Sequence, residues 1–127
     1  MEALLLQIEW LPVIASTIIA FMLGWLWYSP VLFLKPWLAG IPDPPKWQAP
    51  MWMPMSAQLG STLFLAIIVQ VLLGFGDIAL LILVTFTIMG FIKANGMYGG
   101  KTKTAISVEV LYILMAVLVM VLTNVIL

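Results

Sequence analysis

The chain has 127 residues, of which 65% are hydrophobic and 8% charged, against about 45–50% and about 25% in an ordinary soluble domain. It carries five basic and five acidic residues, no histidine and no cysteine, for a formal net charge of zero. That excludes a broad basic surface for nucleic acid, disulfides, thiolate metal sites, histidine-ligated haem or zinc, and every histidine-based triad.

So short a chain cannot bury this much apolar surface in water. Lipid must be its solvent. The expected fold class is all-α: a polytopic integral membrane protein with four transmembrane helices, forming one domain over residues 1–127.

Residues 1–9 hold Glu2 and Glu9 and no basic residue, so no cleaved secretory signal is expected. The first helix is expected over about 10–28, because about 20 residues cross the roughly 30 Å hydrocarbon core. Pro12 falls in its first turn, where a missing N–H does no harm. Ser16, Ala20 and Gly24 fall four apart and make a stripe of small residues. Such a stripe lets helix backbones approach closely in lipid, and it is read as a packing face and a route to self-association.

Pro30 stops or kinks that helix. Residues 31–38 read as an interfacial segment, with Lys35 and Trp37 at headgroup level. Residues 39–54 form a proline-rich loop, expected to be extended, with Trp47 and Trp52 at the membrane surface. Met51, Met53 and Met55 could offer thioethers to copper(I). With no histidine or cysteine beside them they are read as interfacial contacts, and no metal site is expected.

The second helix is expected over about 55–73, with polar first turns through Ser56, Gln58, Ser61 and Thr62. Gly74-Phe75-Gly76 reads as a tight turn and Asp77 as the N-cap of a third helix over about 78–94. Asn95-Gly96 reads as a helix stop. The last helix is expected over about 104–126, capped by Thr102 or Thr104.

Four spans put both termini on one side. Lys35, Lys46, Lys93, Lys101 and Lys103 all fall in or beside the first and third connections. The positive-inside rule then makes those connections cytoplasmic and both termini external.

An internal repeat is conceivable. A shift of 66 positions lays Gly24 on Gly90 and Lys35 on Lys101. A shift of 51 lays Gln58 on Glu109. Two such hairpins would be related by an axis along the membrane normal. Chance likeness between apolar helices is the competing explanation.

Glu109 is the residue that carries most meaning. It lies about five residues into the last helix, roughly 7 Å along it. A carboxyl group inside a span marks a polar cavity or a partner. Lys93, Gln58 and Tyr28 are the candidate partners, and Tyr112 shares its helix face. Three readings stand side by side: a proton- or ion-binding layer, an interhelical clamp with Glu109 neutral or paired to Lys93, or a side chain snorkelling to the headgroups. No nucleophile and base can be paired and no phosphate-binding glycine loop is present. No enzyme activity, catalytic residue or cofactor is therefore expected.

The stretch Leu26-Trp27-Tyr28-Ser29-Pro30-Val31-Leu32-Phe33-Leu34-Lys35-Pro36-Trp37 resembles a bacterial membrane-protein family known as domain of unknown function 1761. The resemblance rests on a Trp-Tyr-small-Pro element closing the first helix and a Phe-Gly-Lys-x-Trp element after it. Leu34 stands where the family has glycine, and Tyr98 stands near the expected aromatic of a later turn. The resemblance implies four spans in a bacterial inner (plasma) membrane and implies no activity.

The functional expectation is an oligomeric transport- or channel-like protein with an intramembrane polar site. The alternative is a non-catalytic accessory subunit of a larger membrane complex. Expected partners are the lipid bilayer and either further copies of the chain or other membrane proteins, and no nucleic acid.

Overall fold

The structure, a computed structural model, describes Leu6, residues 8–41, Pro50 and residues 52–127. Its helices are α1 (Trp10–Trp27), α2 (Leu34–Ala39), α3 (Trp52–Phe75), α4 (Ile78–Tyr98) and α5 (Lys103–Ile126), and the described residues include no strand. Four helices among the described residues, all but the short α2, are long and apolar enough to cross a membrane. Their backbone groups are satisfied within each helix, as a lipid interior requires. Thr17, Thr62, Thr85 and Thr123 return their hydroxyls to the carbonyl four residues back, on Val13, Gln58, Leu81 and Val119, which hides a polar group without a partner helix.

α5 is the central element. It packs against α1, α3, α4 and α2, and 39% of its apolar window is buried against 11% for α4. α3 lies against α1, α4 and α5, so α1 and α4 sit on opposite flanks of the α3–α5 pair. Val13, Ala66, Val69 and Met120 are fully buried and form the middle of the core. Exposed side chains such as Trp25, Phe64, Leu83, Phe86 and Phe91 are what a lipid-facing surface needs.

The small-residue stripe of α1 is used inside the chain. Ser16 and Ala20 are fully buried. Gly24 lies so close to α5 that an added Cβ would stand 2.9 Å from the Tyr112 hydroxyl. The stripe is therefore a packing face filled by α5, and it is not the surface for self-association that its spacing suggests. Gly90, laid on Gly24 by the repeat, has open space around it, so the two glycines are not structural equivalents.

Helix ends depart from expectation in three places. Residues 31–38 are partly helical. Tight turns after Tyr28 lead into α2, whose Pro36 sits in the first turn. α3 begins at Trp52, so Trp52, Met53 and Pro54 are helical rather than part of an extended loop; proline in a first turn costs no hydrogen bond. Trp47, Met51, Asp43 and Lys46 lie outside the described residues.

The third departure is at Asn95-Gly96, which does not end α4. Helix continues to Tyr98, and the turn comes at Gly100 with φ +77. Gly96 is instead a contact point. A Cβ there would stand 2.7 Å from Cγ1 of Ile106, so glycine lets α5 come close to α4. Asp77 accepts from the Leu80 N–H at 3.0 Å and caps α4, while Thr102 accepts from the Ala105 N–H and caps α5.

Candidate functional site

One end of the bundle gathers Trp27, Tyr28, Trp37, Lys101, Glu109 and Tyr112. α1 and α4 finish there and α3 and α5 begin there. The α1–α3 connection is drawn across the start of α5 at Gly40. Its carbonyl accepts from the Thr102 N–H at 2.9 Å, and a Cβ on Gly40 would collide with Thr102 and Ala105. This contact holds α2 flat against α5 and turns Trp37 inward.

Glu109 is the electrostatic centre. Lys101 Nζ donates to its carboxylate oxygens at 2.7 and 3.0 Å. Trp37 Nε1 donates to Oε2 at 2.9 Å. Two donors thus converge on the one carboxylate, from the α4–α5 connection and from α2. The pair is not sealed: the side chains are 28% exposed for Lys101 and 16% for Glu109.

Rings surround the carboxylate. Tyr28 meets Trp37 edge-on with ring centres 4.8 Å apart, and lies 5.8 Å from Tyr112. Tyr112 donates to the Ala20 carbonyl at 2.9 Å and Trp27 Nε1 donates to the Val108 carbonyl at 2.8 Å. Both bonds tie α1 to α5. Gln58 reaches the Tyr112 side chain from α3. Tyr28 stands just past the α1 span as its C-cap. Burial first, and the nearby Glu109 charge second, push its hydroxyl above the usual tyrosine range, so it remains a neutral phenol.

A cleft of about 430 Å³ opens over this group. Tyr28, Trp37, Gln58, Lys101, Glu109 and Tyr112 supply its polar lining. A smaller cavity of about 140 Å³ continues inward between α3, α4 and α5, past Gln58 and Tyr112 to Ser61 and Thr62. It stops at Ala116 and Met120. At the other end of the bundle a second recess of about 320 Å³ is lined by Glu9, Gln70 and Asn124. The Glu9 N–H donates to Gln70 Oε1 at 3.1 Å. The fully buried Val13, Ala66, Val69 and Met120 lie between the two ends.

Of the residues picked out from sequence, Glu109, Gln58, Tyr28 and Tyr112 share one cleft. Lys93 does not join them. It is exposed on α4, and the ammonium on Glu109 belongs to Lys101. Ser16, Ala20 and Gly24 line the α1–α5 contact, with Asn124 Nδ2 3.5 Å from the Ser16 hydroxyl. Sequence reasoning missed Trp37, Trp27 and Lys101 as site residues. Trp37 faces the carboxylate instead of spending its N–H on headgroups. Its pairing with Glu109 spans 72 positions and leaves no periodic trace. Lys101 had a readable signal: Gly99-Gly100 before it and the Thr102 cap after it turn the chain back over the first turns of α5.

The family model described as "Protein of unknown function (DUF1761)" matches residues 11–125. No curated protein and no solved structure matches the chain.

Proposed function

The chain belongs to that family of proteins of unknown function, and from this premise we propose that it is a small transport-like membrane protein that takes a solute into the Glu109 cleft. The observation that carries the reading is Glu109, a carboxylate within a spanning helix, paired with Lys101 in the lining of that cleft. An ionisable side chain inside a span is costly and by default marks a water-filled cavity, a path or a partner. Here the carboxylate lines an accessible, aromatic-walled recess. The buried apolar layer at Val13, Ala66, Val69 and Met120 argues for a binding cleft open to one side rather than a continuous pore through one chain.

In the membrane, the lysine-bearing end that holds the cleft faces the cytoplasm and both termini face outward. Association with further copies of the chain would use α4. Its buried residues are Leu81, Thr85 and Gly96, and Leu83, Phe86 and Phe91 are exposed along it. The same surface supports a second reading, an accessory subunit that receives a partner helix there.

The native chain has no cysteine, so single cysteines report cleanly. A charged, membrane-impermeant thiol reagent is expected to label Gln58→Cys from one side of the membrane and to leave Ala66→Cys unlabelled. Equal failure of both positions to react would overturn the cleft as a site.

A further inference from the structure

Resting on that reading of the cleft, we propose that its ligand is a lipophilic organic cation, which takes the place of the Lys101 ammonium on Glu109 and lays its apolar groups between α1 and α3.

The two members of the ion pair are not held alike. Glu109 is fixed by the helix that carries it and by the Trp37 indole at 2.9 Å. Lys101 reaches it from a connection that begins with Gly99-Gly100, Gly100 having φ +77, and its side chain is 28% exposed. A lysine is a point charge on a flexible stem. It is the partner that can leave, and the vacated group is a carboxylate. The recess therefore selects for positive charge.

The surroundings narrow the kind of cation. A hard metal ion asks for six or more oxygen ligands, and this carboxylate stands among rings. Tyr28, Trp37 and Tyr112 line the cleft, and aromatic rings attract diffuse organic cations, the more so when water is excluded. An anion would meet the carboxylate.

An apolar groove of about 660 Å³ adjoins the cleft. The two share Tyr28, Trp37, Pro54 and Gln58. Phe21, Trp25 and Met55 extend the groove away from the charge. That volume lies within the roughly 300–1,000 Å³ of small-molecule sites, and a methionine wall adapts to varied shapes. A charged head at Glu109 with an apolar body in this groove uses both halves at once.

The test uses the full chain in mild detergent, with tetraphenylphosphonium as the probe and equilibrium binding as the readout. Saturable binding is expected. Lys101→Met is expected to bind the probe about tenfold more tightly, because the internal competitor is gone, and Glu109→Gln about tenfold more weakly. Lys101→Met keeps the carboxylate and is checked for a native-like melting transition, so that arm stays readable if Glu109→Gln fails to fold. Unchanged affinity in Lys101→Met, or probe binding indifferent to a well-folded Glu109→Gln, would overturn the proposal. If Gln58→Cys is labelled from water while the probe does not bind, the cation is rejected and the cleft survives. If Gln58→Cys stays unlabelled, both fall together.

Discussion

Trp37 donates its indole N–H to the Glu109 carboxylate at 2.9 Å, so the short helix after α1 is bonded to the last helix of the chain. A hydrogen bond to a charged group contributes about 1.5–3 kcal/mol. Trp37→Phe keeps a ring against Tyr28 but removes the donor. It is expected to lower stability by a value near the bottom of that range, because the site is partly wet. Thermal unfolding in detergent reads this. A melting temperature equal to that of the native chain would show that the bond contributes nothing.

Gly24 and Tyr112 form a second testable pair. Tyr112→Phe loses the bond to the Ala20 carbonyl and is expected to cost about 0.6 kcal/mol, the average for interhelical hydrogen bonds in membranes. Gly24→Ala brings a methyl against the Tyr112 hydroxyl, 2.9 Å from an ideal Cβ, and should cost more. In the Tyr112→Phe background the nearest atom becomes the ring carbon Cζ at 3.3 Å, so the crowding is relieved in part. The double variant should therefore be more stable than the two single losses imply. Simple additivity would mean the two groups do not touch.

The glycines of α4 should behave in opposite ways. Gly96→Ala is expected to destabilise by about 1–3 kcal/mol, the cost of forcing extra volume into a packed contact, because Ile106 leaves no room. Gly90→Ala meets nothing and should be neutral or stabilising by up to about 1 kcal/mol through helix propensity. Chemical denaturation of the two variants side by side decides it, and equal effects would contradict the packing described.

A phosphatase reporter fused after Leu127 should be active, and the same reporter placed at Lys103 inactive. The reverse pattern would invert the proposed orientation.

What could be read from the sequence was whatever lipid and local geometry dictate. Four apolar runs of spanning length needed no partner to be recognised. The caps at Asp77 and Thr102 follow from a residue's own hydrogen bond three positions on. Glu109 stood out because a carboxylate inside a span is costly wherever it goes. The rest depended on tertiary context. Asn95-Gly96 carries a local stop signal that packing against Ile106 overrides. Lys93 and Lys101 were equally available in sequence, and only the turn at Gly100 decides which one meets Glu109. The bonds from Trp27, Trp37 and Tyr112 run over 72 to 92 positions. No periodicity in a uniformly apolar chain encodes such distances, because lipid-facing and core-facing positions look alike.

The bonds of Trp27, Trp37 and Ala20 that hold α1 and α2 end on α5. During synthesis the amino-terminal three-quarters of this protein must therefore enter the bilayer with its key donors unmatched. The indoles of Trp27 and Trp37 wait for acceptors that leave the ribosome last, and Ala20 waits for the phenol of Tyr112. Assembly is thus completed in one late event, the arrival of the final span. A chain cut short before Lys101 would be an inserted but unfinished set of helices, open to membrane quality control.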